Sequence, residues 1–487
     1  MLLLVFTVLS VIMIANHEIW RDEGHAWLLI QSAGSLPELF KAMRYEGTPA
    51  LWHTLLYPFA ISGQPVIWMS IVHFIIIFSA VVLFLVKAPF SNLQKALFIF
   101  GYYIFYEYSV IARSYSLTVL FLFIIAVIYK HRLTKPLLYF GALCILANAN
   151  THSLCISLAL TGFYIYELKK EKIALASKFY AAFLLFFLVF LFCIYQLYPP
   201  ADLTRSLSGW KGSNLSTTLN TLVSAFLPVQ IPKLNFWNTK LFYYPDTVRS
   251  WLGIPLYLLS LLAFARKPKA LGVYLITSFS LLALFAAKYG GSTRHHGLIF
   301  ILFIFSLWLS TYYKEKFIFS GKALKKYLTS GFTGTLLTSF LVIQVLAFPI
   351  PFYYDLKYDF SAGKKVADYL KGERLLGEDT FICVYDFFCA ESILPYTYKP
   401  FYSIENERFE RSIIFNTGCD KAFDTPASYK TDRIREVIKG KGYRQVIYIS
   451  STNMTDTEFL KYYKPLKSFQ ETIVPNESYY IYQLNIP

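Results

Sequence analysis

The chain has 487 residues, of which 56% are hydrophobic, 19% aromatic and only 16% charged. A soluble domain carries about 25% charged residues, so this composition excludes an ordinary soluble protein and predicts a polytopic membrane protein. The net charge of +16 does not imply a nucleic-acid partner, because most Lys and Arg of the apolar part sit in short loops, where the positive-inside bias puts them.

Residues 1–16 read as a first transmembrane helix rather than a signal peptide, since they lack a basic n-region and a small-x-small cleavage site. Residues 17–64 then form a large extracytoplasmic loop. It opens with Trp20-Arg21-Asp22-Glu23-Gly24-His25-Ala26-Trp27. Adjacent carboxylates beside a bilayer are either solvated loop acids next to Arg21 or functional groups that repay their desolvation. A carboxylate there can take a proton from an attacking hydroxyl, and a second can orient the first or hold a cation. His17-Glu18 opens like H-E-x-x-H, but position 21 is Arg, which excludes that zinc site. Residues 49–61 are apolar yet short, with Pro49 and Pro58; they predict an interfacial helix with Trp52, His53 and Tyr57 at headgroup depth.

Further spans follow near 65–86, 93–108, 112–129, 136–149, 152–167, 175–197, 250–264, 270–287, 297–312 and 329–348, about eleven with the first. With the N-terminus in the cytoplasm, every cytoplasmic loop is basic, from Lys87 and Lys95 to the cluster Lys314–Lys326. Three polar constellations then fall on the same outer face as Asp22. The run Tyr102–Tyr115 contains Glu107 and Arg113; the arginine either snorkels to headgroups or grips a lipid-borne phosphate. Asn148, Asn150, Thr151 and His152 either bond a sugar or link two helices. Residues 198–249 read as a long extracytoplasmic loop with Pro199-Pro200, Trp210 and Trp237. Lys288–Gly297, with Arg294, His295 and His296, is a basic cluster on the outer face and so breaks the charge rule. Such a break calls for an anion, either lipid headgroups or a phosphate, which Gly290 and Gly291 let the backbone approach. A metal on His295 and His296 is the weaker reading, because adjacent His residues rarely point at one ion.

Residues 350–487 are expected to leave the membrane as a small α/β domain. Strand-like runs (Phe381–Tyr385, Gln445–Ile449, Tyr479–Leu484) alternate there with helix-like ones (361–370, 431–439). Cys383, Cys389 and Cys419 allow one disulfide in an oxidising compartment. No C-x-x-C, P-loop, G-x-G-x-x-G or G-x-S-x-G motif occurs.

Carboxylates next to a bilayer, a cationic grip and a domain overhead together suggest group transfer from a polyprenyl-phosphate carrier. At this point the chain resembles the GT-C superfamily of membrane glycosyltransferases, in the bacterial branch related to protein O-mannosyltransferases and the lipid A aminoarabinose transferase. Asp22-Glu23 resembles the family's acidic pair in the first extracytoplasmic loop. Thr48-Pro49-Ala50-Leu51-Trp52-His53 resembles its H-P-P-L-Y-Y helix, and Tyr108–Tyr115 its Y-S-Q-E-A-R-M-Y segment. Thr48, Ala50 and Ile111 depart from that pattern, with Glu107 one turn from the expected acid.

The resemblance implies an extracytoplasmic active site in a bacterial inner membrane and a sugar donor on undecaprenyl phosphate, or dolichyl phosphate in a eukaryote. The acceptor hydroxyl would belong to a glycan, lipid or protein. Asp22 would be the general base, with Glu23 beside it. Arg113, Lys288, Arg294, His295 and His296 would bind the donor phosphate. Glu46, His53, Glu107, Tyr115, Asn150 and His152 would contact substrate. A divalent cation is allowed but not required, with Glu23 and Glu46 as candidate ligands. The competing readings are a lipid-linked-glycan flippase or transporter, and a polymerase or ligase of O-antigen type.

Overall fold

The computed structural model describes residues 1–204, 212–213, 215–241, 246–318, 322–417 and 427–484. The chain is mostly helical and ends in a small sheet. Apolar runs rich in Leu, Ile and Phe close their own backbone hydrogen bonds as helices, the one open structure that needs no partner in an apolar medium. Among the described residues, five helices are long and apolar enough to cross a membrane: Ile67–Lys87, Ser177–Leu197, Pro268–Ala287, Thr293–Ser310 and Ser330–Lys357. The Leu2–Asn16 and Arg21–Ala33 helices pass the same test only when taken together, and they are bent 78° apart. The Ser177–Leu197 helix turns Leu184, Phe187, Leu188 and Leu191 outward, a face suited to lipid. The Thr293–Ser310 helix is the opposite case, 89% buried at the centre of the bundle.

Each predicted segment carries helix, but three expectations change. The segment 93–108 is not one helix: Asn92–Ile99 is followed by a π-turn at Tyr103–Glu107. Its tyrosines and Glu107 need polar partners that lipid lacks. Protein supplies them: the Tyr103 hydroxyl donates to the Ser224 carbonyl at 2.6 Å, the Tyr108 hydroxyl to the Arg294 carbonyl at 2.7 Å, and Trp237 Nε1 to Glu107 at 3.0 Å. Irregular backbone beside apolar helices needs such burial in protein, where its polar groups find partners.

The expected loop 198–249 also dips inward. Its helix Leu215–Phe226 buries Leu222, Val223, Ala225 and Phe226, and Phe226 meets the rings of Phe300, Phe303 and Phe340. Trp210 lies outside the described residues.

The chain does not leave the bundle at residue 350, because a further helix, Pro349–Lys357, carries it on. Proline is compatible with a first helical turn, whose N–H groups have no intrahelical acceptor.

Beyond it, six strands form one sheet: β1 (Thr380–Tyr385), β2 (Phe401–Ser403), β3 (Arg408–Glu410), β4 (Gln445–Ser450), β5 (Tyr463–Phe469) and β6 (Tyr479–Leu484), in the order β3-β2-β1-β4-β6-β5. β1 runs parallel to β2 and β4, and the other pairs are antiparallel. Strand alternation sends Phe381, Cys383 and Tyr448 to one face and Ile382, Val384, Ile447 and Ile449 to the other. Leu28, from the helix next to Asp22, completes the second of these cores. Cys383 and Cys389 are free and buried; Cys419 lies outside the described residues.

Candidate functional site

The Arg21–Ala33 helix is the structural hub. Trp27 and Ile30 bury against Trp52 and Leu56 of the helix Leu51–Ile61, while Leu28 faces the C-terminal domain. Gly24 explains the closeness of the second contact, because a Cβ there would lie 1.8 Å from the Glu391 carbonyl oxygen. His25 joins the layers: Nδ1 meets Glu391 Oε2 at 2.8 Å, and Nε2 meets Glu46 Oε1 at 2.9 Å. Burial disfavours the imidazolium, but Glu391 and Glu46 outweigh it and hold the His25 pKa well above the usual histidine value. Burial likewise pushes the Glu391 carboxyl up, against the pull of His25.

Asp22 and Glu23 lie in the first turn of this helix, where the helix dipole favours acids, yet they face different partners. Glu23 is buried and engaged at both oxygens. One accepts from the Ala112 N–H; the other accepts from the Trp20 N–H at 3.2 Å and meets His17 Nε2 at 3.3 Å. His17 in turn meets Asp355 at 3.2 Å. Glu23 therefore ties the first helix and the segment before Arg113 to the hub, and its occupied oxygens do not fit a cation ligand. Glu46, the other candidate, is turned to His25. Among the described residues no three His, Cys, Asp or Glu side chains form a metal-holding group.

Asp22 is more open, with 19% of its side chain exposed. Its Oδ2 lies 3.0 Å from Arg294 Nη2 and 3.5 Å from Arg113 Nη1, and Arg113 Nη1 also donates to the Asp22 carbonyl at 2.5 Å. The guanidinium carbon of Arg294 lies 5.2 Å from the Trp20 ring centroid and 5.6 Å from that of Trp237. These two rings meet edge to face at 4.7 Å. Trp237 also donates to Glu107, which accepts from Tyr102 at 2.9 Å, and Tyr102 accepts from Gln230 at 2.5 Å. One cation is thus held in place by two indoles, a carboxylate and a buried polar chain. Gly297 lets this helix approach the π-turn, since a Cβ there would fall 2.4 Å from the Tyr103 ring.

The remaining predicted residues divide. His295 stacks on His152 at 4.8 Å, meets the Tyr115 ring edge-on at 5.4 Å, and approaches the Tyr289 hydroxyl at 2.8 Å. This gives an aromatic wall next to Arg294 in sequence. Its Nδ1 also accepts from the Ser292 N–H, capping the helix. His296 bonds the Gly290 carbonyl at 2.8 Å and shapes the loop before it. Lys288 stands at the C-cap of the Pro268–Ala287 helix. Asn150 caps the Thr151–Lys170 helix through Ser153 N and bonds Thr118 at 2.9 Å, so it links helices. His53 is buried in the Leu51–Ile61 helix.

Asp22, Arg113 and Arg294, far apart in sequence, therefore converge. Trp20 and Trp237, placed by the sequence only in two separate loops, prove to be part of the same group. The His25–Glu391 pair is a separate contact of the same helix as Asp22, and the sequence carries no signal for it, since Glu391 lies in the C-terminal segment. Chemically, the arrangement offers one partly exposed carboxylate and two guanidinium groups able to take an anionic oxygen. No protein-family model matches this sequence, and no characterised protein matches it significantly.

Proposed function

We propose that the protein is an integral-membrane glycosyltransferase of the GT-C type, with about eleven spans and an active site on the extracytoplasmic face. It moves a sugar from a polyprenyl-phosphate donor to an acceptor hydroxyl. The observation that carries this reading is the grouping of Asp22 with Arg113 and Arg294 at the junction of an apolar bundle and a soluble-type domain.

Asp22 takes the proton of the acceptor hydroxyl as its oxygen bonds to the anomeric carbon. The bond from that carbon to the phosphate oxygen breaks, and its electron pair leaves with the lipid phosphate. A single in-line displacement inverts the anomeric centre. Arg113 and Arg294 face the charge that develops on the leaving group, and fixed cations in a partly desolvated site stabilise such charge strongly. Trp20 and Trp237 keep Arg294 aimed. Tyr289 is exposed and offers a flat surface to a sugar ring, with His295, His152 and Tyr115 packed behind it.

The test is release of undecaprenyl phosphate from radiolabelled undecaprenyl-phosphate sugars by the protein in lipid. Turnover with one donor that disappears in Asp22→Asn supports the assignment. Full turnover in a folded Asp22→Asn variant removes Asp22 as the base.

A further inference from the structure

We propose that Asp22 and the donor phosphate compete for the same two guanidinium groups, so that donor binding releases the base. This inference rests on the transferase reading and adds an order of events to it.

Asp22 Oδ2 is turned to Arg294 Nη2 and Arg113 Nη1, so in this arrangement the carboxylate faces two cations rather than an acceptor hydroxyl. The arginines, by contrast, are far from saturated. A guanidinium has five N–H donors, yet Arg294 places one nitrogen on Asp22 and leaves its buried Nε without a partner. Arg113 spends Nη1 on the Asp22 carbonyl and side chain. Arg294 also stands in the first turn of the Thr293–Ser310 helix, where the helix dipole opposes a cation and favours an anion. Its position between Trp20 and Trp237 limits how far it can turn. The partner that changes must then be the anion.

A phosphate oxygen pair matches an arginine fork better than a shared carboxylate oxygen does. When it arrives, it takes the place of the Asp22 carboxylate on Arg294 Nη2 and Arg113 Nη1 and leaves that carboxylate free to meet the acceptor hydroxyl. The reaction then reinforces the exchange. Asp22 gains the acceptor proton and becomes neutral, while the leaving phosphate gains one negative charge. The two cations follow the charge from carboxylate to phosphate, and the total charge of the site does not change. The same feature protects the donor, because the base is inactive until a phosphate occupies the arginines.

The experiment titrates undecaprenyl phosphate into the protein in lipid nanodiscs and follows tryptophan fluorescence, to which Trp20 and Trp237 contribute beside Arg294. Competition predicts binding about tenfold tighter in Asp22→Asn than in the wild type, a difference of about 1.4 kcal/mol. Asp22→Ser should shift in the same direction, and Arg294→Gln should weaken binding. Unchanged or weaker binding in the folded Asp22 variants overturns the competition and leaves the transferase reading standing. A wild type that binds no undecaprenyl phosphate removes the transferase reading itself. If neither Asp22 variant folds, carbodiimide labelling of Asp22 in the wild type serves instead: added undecaprenyl phosphate should raise it, and no rise overturns the proposal.

Discussion

Glu391→Gln preserves the shape of a side chain and removes its charge at the contact between the Arg21–Ala33 helix and the C-terminal domain. Glu391 is fully buried; Oε1 accepts from the Ile413 N–H at 2.7 Å and Oε2 meets His25 at 2.8 Å. Removing one member of a buried ion pair costs about 3–5 kcal/mol when the other charge is stranded. Here Glu46 stays 2.9 Å from the other ring nitrogen, so about 2 kcal/mol is expected. That corresponds to about 30-fold more frequent opening of this contact. Hydrogen exchange of segments 20–27 and 387–396 should accelerate accordingly, while the exposed control Glu458→Gln leaves them unchanged.

The same pair fixes a pH dependence. The pKa values of His25 and Glu391 are both raised in the folded state, so the folded protein binds more protons than the unfolded chain. The His25 contribution is fully present below about pH 6.5 and is lost as pH rises through the raised folded value. The Glu391 shift has the same sign from about pH 4.3 upward. Protection should therefore fall on alkalinisation, and His25→Gln should flatten the response. Equal exchange in wild type and Glu391→Gln, or protection that grows with pH, would refute the reasoning.

Four further outcomes are expected. Asp22→Asn should lower sugar transfer by about 10²–10⁴-fold, the usual weight of a general base; the release assay on folded protein reads this directly. Gly24→Ala should loosen the same contact as Glu391→Gln by about 1–3 kcal/mol, since the new Cβ meets the Glu391 carbonyl; wild-type exchange in segments 387–396 would contradict the close approach. Arg294→Lys keeps the charge but loses the planar fork between two indoles, so turnover should drop more than tenfold while the protein still melts near the wild-type temperature. At the other end of the bundle, Arg132 bonds Glu167 through two nitrogens at 2.9 Å each. Arg132→Ala should destabilise the protein by about 3–5 kcal/mol and leave undecaprenyl-phosphate binding per folded molecule intact, as thermal melts and titrations would show.

Much of this architecture is already written in local sequence. Apolar runs dictate helices because backbone groups in such surroundings have no other partner. Short strand-like runs marked β1, β4 and β6, and the acid pair at Asp22-Glu23 stood out because carboxylates are costly beside apolar spans. Spacing did contain one missed signal: Leu219, Leu222, Val223 and Phe226 form a helical stripe inside what reads as a loop.

Other features depend on contacts between distant segments and have no local signature. Composition could not distinguish a straight span at 93–108 from a π-turn whose tyrosines find acceptors on Ser224 and Arg294. Nor could it separate the two neighbouring acids. Adjacent residues on a helix point about 100° apart, so Glu23 enters a buried network with His17 and Ala112 while Asp22 meets two arginines. The sequence by itself determined most of the helical segments and which residue types could do chemistry. Only the tertiary structure decided which carboxylate remains accessible, because that depends on packing a helix between a bundle and a sheet encoded more than 300 residues later.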